Sequence, residues 1–493
     1  MTKKYISVLT VFIAIIILAA CRVGRDYKQP ALVLPERFGD NASSGTSAAG
    51  DKAASGTSTA GGGKAPSDTS IAEIPWKNFF ADTTLQRLIA AGLSGNYDLQ
   101  LAVKRIEESS AYLKEAKSAW LPTATLNVSA NTTNPSDNSL NGLSLSSFLG
   151  TDHIEDYSLN AAVSWEIDVW GKIRRQKEAA LASYLETYEG AHAVQTTLVS
   201  DIANAYYNML MLDAQLKVAK NSLSLSDTIV QMIRLQKTAG EVTELGVQQA
   251  ISQQQTAALL IPQLEQALAI QENSLRILTG ELPGTIVRSQ QLSTNLMRES
   301  LPVGIPANLI SKRPDVRAGE MALVAANAKV GVAQGSMYPT LTLTATGGLN
   351  AFKASDWFTV PASLFGVAAA GITQPLFQHR QLKTQLEVAK IQREEAVIRF
   401  RQLALDAVGE VSNSLVKLDK LKSQQTIASQ QVETTQLATR QAQLLFRSGM
   451  ANYLEVITAQ GKYLQAELTQ ADITRQQLSA GVELYRSLGG GWN

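Results

Sequence analysis

Residues 157–172 read YSLNAAVSWEIDVWGK, and the period of the apolar side chains changes within this stretch. Up to Ile167, apolar residues alternate with polar ones, as they do in a β-strand with one apolar face. Beyond Lys172 the apolar residues recur with a helical period. The sequence therefore predicts a strand that leads directly into a helix.

The predicted helix is unusually long. From Leu198 to Leu223, apolar residues recur at alternating steps of four and three, which is the heptad repeat of packed helices. No proline interrupts residues 172–237 or the similar segment 378–447. Each segment could therefore form one helix of about 100 Å, whereas globular helices average about a dozen residues.

Each long helix is predicted to turn back on itself. Gly240 and Gly449 follow the two helical segments and stand where a helix C-cap requires glycine. A second helical pattern then runs from Glu244 to Leu278 in one case and from Tyr453 to Leu488 in the other. The sequence therefore predicts two long helical hairpins.

The same pattern of strands and hairpin occurs twice. The motif at residues 120–123, Trp-Leu-Pro-Thr, recurs as Met-Tyr-Pro-Thr at 337–340, and the corner at 168–172 recurs at 374–378. These matches lie roughly 210 residues apart, a spacing that is too long for a solenoid repeat. We interpret them as an internal duplication of a whole domain.

Four segments alternate between apolar and polar residues over about ten positions, the length of a tilted strand that crosses a bilayer. Soluble, half-buried strands share this pattern. Four strands cannot close a membrane barrel, so a barrel would have to be shared between two or three copies of the chain. The segments are about 121–131, 156–167, 338–347 and 363–374.

The N-terminus is typical of a bacterial lipoprotein signal. Lys3 and Lys4 precede an apolar run from Ile6 to Ala20, and Cys21 follows it directly. Cleavage before Cys21 would leave its thiol for lipid attachment, although a plain secretory signal or an N-terminal membrane anchor remains an alternative.

The domain prediction is a signal peptide at 1–20, an anchored segment and Gly/Ala/Ser tether at 21–70, repeats at 71–283 and 303–493, and a linker at 284–302.

Charge and side-chain chemistry argue against several function classes. The 493 residues include 44 Lys and Arg against 43 Asp and Glu, a net charge of +1, so no nucleic-acid partner is predicted. His153, His192 and His379 form no ligand motif, and a single cysteine excludes an intramolecular disulfide and cysteine-rich zinc sites. With no serine-nucleophile or dinucleotide motif, we predict no metal, no cofactor and no enzymatic activity.

Four stretches resemble motifs of one protein family. Residues 313–317, Arg-Pro-Asp-Val-Arg, are similar to a family signature, and residues 96–99, Asn-Tyr-Asp-Leu, to a helix start. Residues 169–172 are similar to the family's strand-to-helix corner, and residues 488–492 to its C-terminal ending. Together with the duplication, the chain resembles the TolC-type outer membrane factors, in particular the lipoprotein branch of OprM-like channels.

The resemblance implies a mixed α and transmembrane β fold. Four strands per chain would form a shared, trimeric 12-stranded β-barrel, continued by a long α-helical barrel with a small mixed equatorial region. It implies an exit duct in the outer membrane of a Gram-negative bacterium, lipid-anchored in outer-membrane lipid, with its helices in the periplasm. The implied partners are a periplasmic adaptor protein and an inner-membrane pump of the resistance-nodulation-division type, and the implied cargo is drugs or other small solutes.

The resemblance also assigns roles to residues. In the signature, Pro314 near the first turn and Asp315 at the positive end of the dipole suit a helix start, so Arg313, Pro314, Asp315 and Arg317 are predicted to be structural. The hairpin tips would form the periplasmic gate, for which the candidates are Glu241, Glu244, Asn452, Glu455 and Thr458. Family members often have Asp where Ala451 and Thr458 stand, so cation selectivity is in doubt, and ordinary solvated charges at the tips remain an alternative.

Two alternative interpretations remain open. Within the duct interpretation, the chain could serve type I protein secretion or metal efflux instead of drug efflux. From a different class, a periplasmic coiled-coil adaptor or structural lipoprotein would also have a lipoprotein signal and long hairpins. Two hairpins per chain and four strands of bilayer length argue against that second class.

Overall fold

A computed structural model describes most of the chain. The signal peptide, Cys21 and the tether from Gly39 to Ser70 lie outside the described residues, as does most of the linker between the repeats. The described residues are 23–32, 71–136, 138–141, 153–288, 291–294 and 311–492.

The helices and strands follow the duplicated order that the sequence predicts. The first repeat contains three helices, two strands and a long hairpin, and the second contains one helix, two strands and a second long hairpin. The elements are α1 (Trp76–Phe79), α2 (Thr83–Gly95), α3 (Tyr97–Ser118), β1 (Thr123–Thr133), β2 (Ile154–Ile167), α4 (Lys172–Thr238), α5 (Glu244–Leu278), α6 (Pro314–Gly335), β3 (Thr340–Ala351), β4 (Leu364–Thr373), α7 (Gln381–Arg447) and α8 (Tyr453–Ser487).

The chain separates into two compact units. The first, called here the sheet unit, contains Met1–Pro30, Glu107–Leu185 and Glu320–Ile398 and includes all four strands. The second, called the hairpin unit, contains Ala31–Ile106, Glu186–Gly319 and Arg399–Asn493. Each unit draws on both sequence repeats.

In the sheet unit, the strands form one antiparallel sheet in the order β1-β2-β3-β4. The register aligns the apolar residues of neighbouring strands: Leu126 lies opposite Ala161, Trp165 opposite Leu343, and Leu341 opposite Ile372. Because side chains alternate between faces, this register gathers most of the large apolar residues on one face. The other face carries mainly threonine, serine and asparagine, together with Phe365 and Val367 of β4.

Neither face of the sheet is covered by the described part of the chain. On the apolar face, Leu126, Val128 and Ile372 are 72%, 64% and 74% exposed. A β-sheet in water normally buries one face against a core. This sheet therefore depends on an environment that the described part of one chain does not supply.

The corner between β2 and α4 is held by specific contacts within the sheet unit. Gly171 has φ +80°, which allows the turn, and the Asp168 carboxylate accepts hydrogen bonds from the backbone N–H of Ile173 and of Arg174, both at 3.0 Å. These bonds satisfy two of the unpaired N–H groups of a helix start. The strand therefore passes directly into the helix, as the change of period predicts.

The corresponding corner after β4 differs from the sequence interpretation. His379 and Arg380 have φ of 47° and 67°, and α7 begins only at Gln381 rather than near residue 378. Left-handed backbone cannot continue into a right-handed helix, so the helix starts after these two residues. Neither is glycine, which is why the sequence pattern gave no warning of the delay.

In the hairpin unit, the N-terminal helices are fastened to the hairpins by buried polar contacts. Asp82, only 2% exposed, caps α2 through the N–H of Thr84 and accepts a 2.5 Å hydrogen bond from the hydroxyl of Tyr206 on α4. Burial and the Asp82 charge raise the pKa of Tyr206 well above its ordinary value. The capping carboxylate thus also serves as a tertiary link.

A second link joins α3 to the end of α5. Asn96 caps α3 through the N–H of Leu99 (3.0 Å) and donates from its side chain to the carbonyl of Leu278 (3.0 Å). Beside it, Gly95 and Gly280 bring their backbones together, and a Cβ on either residue would collide with the other turn. Gly280 also has φ +76°. This contact therefore requires glycine on both sides.

Among the described residues, no helix is both long enough and apolar enough to cross a membrane.

Gly280→Ala is expected to lower the free energy of unfolding by about 1–3 kcal/mol, because the methyl group collides with Gly95 and the left-handed φ strains alanine. Denaturant titration of the detergent-extracted protein measures this change. The control is Gly284→Ala in the same segment, where an added Cβ would make only an ordinary 4.0 Å contact with the Leu282 carbonyl. Equal midpoints for the two variants would contradict the close contact.

Candidate functional site

The polar face of the sheet is a candidate solute-contacting surface. Asn127 on β1 and Asn160 on β2 lie opposite each other, and the Asn127 amide donates to the Asn160 oxygen at 3.3 Å. Asn160 donates in turn to the Ser158 hydroxyl at 3.0 Å, and Asn350 on β3 donates to Asp156 at 2.8 Å. This polar face is hydrogen-bonded from strand to strand and suited to contact with water.

The Arg-Pro-Asp-Val-Arg stretch forms an ion-pair network within the hairpin unit, called here the arginine junction. Arg313 is only 4% exposed, and its guanidinium pairs with Asp315 and, at 2.9 Å, with Glu410 on α7. It also donates to the carbonyl of Ser487 at the end of α8 (3.0 Å). One side chain thus joins the start of α6 to both helices of the second hairpin.

Asp315 is held ionised in this junction. Burial alone would raise the pKa of its carboxyl, but the hydrogen bonds and positive charge of Arg313, with the N–H of Val316, outweigh burial and hold the pKa below its ordinary value. The pair is therefore charged at neutral pH. The buried member of the network is Arg313, whereas the Asp315 and Glu410 side chains are 39% and 40% exposed.

Arg317 extends the junction to the first hairpin. Its guanidinium lies 2.6 Å from the Glu189 carboxylate on α4. Burial, followed by the positive charge of Arg317, lowers the pKa of the nearby His192. The His192 ring packs between Tyr188 and Trp492, with centroid distances of 4.7 and 4.8 Å, and so serves as a packing residue.

The C-terminal residues 488–492 pack against the start of the arginine junction. Gly489 has φ +93°, and a Cβ there would collide with the carbonyl of Lys312. The two family-like stretches, residues 313–317 and 488–492, therefore meet in space. Their partners Glu189 and Glu410 are single charges within long helices, so no sequence pattern marked them.

The hairpin tips are closed by left-handed glycines. Gly240 and Gly449 have φ of +83° and +75°. After the first, the N–H of Glu241 bonds back to the carbonyl of Gln236, and after the second the N–H of Met450 bonds to Leu445. Both turns are therefore helix C-caps of the predicted kind.

An apolar cluster joins the two tips inside the hairpin unit. Residues from all four long helices contribute, and their side chains are nearly fully buried. One turn beyond Val456 on α8, the buried Gln460 donates to the hydroxyl of Ser226 on α4 at 2.8 Å. The two hairpins of one chain therefore pack as one body at this end. The cluster consists of Ile229, Val230, Ile233, Val247, Ala250, Phe446 and Val456.

The gate candidates lie around this cluster and are exposed. Asn452 caps α8 by accepting from the N–H of Glu455 at 3.1 Å, and Thr458 lies one turn further on. Glu244 pairs with Lys237 of its own hairpin. Hydrogen bonds from Lys237 and Gln248 lower the pKa of Glu244, so it is ionised at neutral pH.

The acidic candidates differ in how their charge is balanced. Lys237 offsets the charge of Glu244, whereas Glu241 and Glu455 have no ion pair within the part of the chain that the structure describes. A gate role for these residues remains a prediction, as does lipid attachment at Cys21, which lies outside the described residues. In those residues, no cluster of three or more potential ligands could hold a metal ion.

Most of the chain matches a known family. The sequence profile described as "Outer membrane efflux protein" matches residues 88–281 and 305–490, which is more than half of the chain. The chain belongs to the outer membrane efflux protein family. The resemblance drawn from four short motifs is thereby confirmed.

Individual relatives cover almost the full length of this efflux protein. The chain is 30% identical over 430 residues to the toluene efflux pump outer membrane protein TtgF of Pseudomonas putida, across 87% of this chain and 88% of that protein. It is 25% identical over 492 residues to the probable outer membrane lipoprotein SilC of Salmonella typhimurium, across 99% of each. It also matches the solved structure of the outer-membrane channel OprN with a TM-score of 0.83 and 26% identity, covering 96% of this chain and 100% of that chain.

These matches confirm the predicted outer-membrane location and efflux-channel function. They also confirm the predicted fold class for the single chain, with its duplicated strands and long hairpins. The family is named for efflux and not for catalysis.

Arg313→Ala is expected to destabilise this efflux protein by about 1.5–3 kcal/mol, because it removes the buried guanidinium that bonds to Asp315 and Glu410. The loss is limited because both carboxylates are partly exposed and Glu410 also pairs with Arg486. Arg313→Lys should recover only part of the loss, since an ammonium cannot reproduce the fork of the guanidinium. The measurement is the unfolding midpoint in detergent. Arg380→Ala, which breaks the exposed pair with Glu387, should cost no more than about 1 kcal/mol; an equal loss would contradict the junction.

Glu455→Ala is expected to reduce the cation preference of single channels in planar bilayers more than Glu244→Ala, because Lys237 already offsets the Glu244 charge. Combining both changes should give the largest effect. Glu433→Ala, an exposed acid elsewhere on α7, is the control for net charge. If the double variant conducts like the unmodified protein, the acidic gate is refuted.

Proposed function

We propose that this protein is a homotrimeric exit duct that passively conducts small solutes through a shared 12-stranded barrel, without catalysis. One observation supports this most directly: a four-stranded sheet with two open edges and an uncovered apolar face. Its apolar face suits lipid, and its polar face suits a water-filled lumen.

The open edges require partners. In lipid, an unpaired backbone group costs several kcal/mol, so membrane sheets close into barrels. Four strands per chain close only when copies join, and three copies give the twelve strands that the family resemblance implies. A barrel of this size leaves an aqueous interior, whereas about eight strands are filled by side chains. Three copies therefore suit a duct better than two.

The long hairpins supply the rest of the duct. At 67 residues each, α4 and α7 reach about 100 Å, a length suited to bridging the periplasm. Their tips would meet a periplasmic adaptor protein and an inner-membrane pump of the resistance-nodulation-division type. An adaptor that binds only dilated tips would shift a closed–open equilibrium toward the open state.

The N-terminal segment supports a lipid anchor at Cys21. Val23 donates its N–H to the carbonyl of Trp170, just beyond β2 (3.3 Å). Asp26 pairs with Arg175 at 2.8 Å, and Tyr27 donates to Glu320 at 3.0 Å. These contacts attach the segment close to the end of a proposed membrane strand, where an acyl chain on Cys21 can enter the same bilayer.

For the cargo, we propose small organic solutes, in keeping with the toluene efflux named for TtgF. The polar sheet face offers hydrogen-bonding groups but no arrangement selective for one solute. Selection would then lie with the pump. Metal ions or secreted proteins are the competing cargoes that an export assay must compare.

Leu126→Arg is expected to lower the amount of detergent-extracted, heat-resistant trimer in the outer membrane, because arginine on the lipid face costs about 2–4 kcal/mol at mid-membrane. The neighbour Asn127→Arg, on the polar face, should assemble normally. Fractionation and unheated gel electrophoresis give the readout. A monomer that is soluble without detergent would refute the duct.

The same variants test export when expressed in a strain from which the natural gene is deleted. Loss of the protein or of its assembly should increase cellular accumulation of toluene and of fluorescent drugs, and Asn127→Arg should restore efflux at least in part. If the deletion changes only metal sensitivity, the proposed cargo is wrong while the duct stands.

A further inference from the structure

An aromatic side chain locks the two repeats together where β2 ends and β3 begins. The indole N–H of Trp170 donates to the carbonyl of Pro339 at 2.7 Å, and its ring stacks on Tyr338 with a centroid distance of 5.0 Å and an angle of 27°. Trp170 follows β2, and the Tyr338-Pro339 pair precedes β3. The contact thus fixes two neighbouring strands at their common end.

The duplication contains a second copy of each side of this contact. In the described chain, these second copies lie at opposite edges of the sheet. Phe377 follows β4 as Trp170 follows β2, and Leu121-Pro122 precedes β1 as Tyr338-Pro339 precedes β3. Phe377 is 96% exposed and Leu121 is 47% exposed. In the described chain, β4 pairs only with β3 and β1 only with β2. Each side therefore lies at an open edge of the sheet.

The β2–β3 register can be transferred to these open edges. Placing Trp170 on Phe377 and Pro339 on Pro122 carries the observed pair Trp165–Leu343 onto the pair Ile372–Leu126. Both residues belong to the apolar face, as their observed partners Leu341 and Ala161 do.

The continuity of the apolar face decides between two alignments of the corners. A register shifted by one residue would place Ile372 opposite Thr125 or Asn127 and would turn the apolar set of one strand toward the polar face. The residue-by-residue match of the corners 168–172 and 374–378 places Trp170 on Leu376 and gives such a shifted register, with Ile372 opposite Thr125. The match of Trp170 to Phe377, one residue later, keeps the apolar face continuous, and the faces therefore select it.

We propose that β4 of one copy pairs antiparallel with β1 of a second copy, with Ile372 opposite Leu126, and that Phe377 packs on the Leu121-Pro122 turn of that copy. This inference rests on the proposed shared barrel and adds its register and its lock. The contact between β4 and β1 of two copies then has the same form as the contact between β2 and β3 within one chain. A second copy also satisfies the edge N–H and C=O groups, which lipid cannot do.

Disulfide trapping tests the register. Ile372→Cys combined with Leu126→Cys should link copies into dimers and trimers on non-reducing gels, since directly opposed Cα atoms lie about 4.5–5.5 Å apart. Ile372→Cys combined with Ala124→Cys or Val128→Cys moves the partner by one position along the same face. These off-register pairs should cross-link several-fold less, and the unmodified chain reports any background from Cys21.

A separate experiment tests the packing of Phe377 on the Leu121-Pro122 turn. Phe377→Ala should lower the temperature at which the trimer dissociates in detergent, and Phe377→Trp should restore it. Phe352→Ala, an exposed phenylalanine between β3 and β4, is the matched control and should have no effect. Equal trimer stability for both alanine variants would overturn the lock.

The outcomes separate this inference from the proposed function. If heat-resistant trimers form and an off-register pair cross-links best, the register is wrong and the shared barrel stands. If Phe377→Trp is quenched by brominated phospholipid more strongly than the background of the natural tryptophans, the side chain faces lipid and the lock is overturned. If the protein is monomeric, both the contact between copies and the duct fail.

Discussion

The backbone hydrogen bonds at the edges of the sheet constrain everything else in this protein. Within one described chain, β1 and β4 each have a single partner, and the apolar face that ends in Leu126 and Ile372 is uncovered. Water can satisfy such an edge but disfavours such a face, whereas lipid accepts the face but not the edge. Only a closed wall of several copies in a bilayer meets both demands. The sheet of one chain is thus complete only when it joins other copies.

The long helices are stabilised differently, through dispersed contacts and a few buried polar links. Tyr206 to Asp82 and Arg313 to Glu410 each join distant parts of the sequence inside the hairpin unit. Such links add specificity to helices whose heptad positions are often alanine and would tolerate sliding. A polar contact that fits in only one register fixes the register of the apolar seam around it.

Periodicity made most of the fold predictable. The alternation around residues 157–167 and the glycines at 240 and 449 located strands and turns closely, because they reflect backbone geometry directly. The late start of α7 was not predictable, since His379 and Arg380 take left-handed backbone without glycine. Likewise, nothing in a helical pattern distinguishes Glu189 and Glu410, which pair with Arg317 and Arg313, from the surface acids around them. Their partners are set by tertiary structure alone.

The contact between Gly95 and Gly280 has a mechanical consequence. It clamps the returning end of α5 to the start of α3 at backbone distance, with Asn96 bonded across it. At the opposite end of the same helix, only side chains make the contact, since Val247 and Ala250 pack in the apolar cluster that joins the two tips. A force applied at the tips would therefore move both hairpins of one chain together, while the clamped end of α5 stays in place.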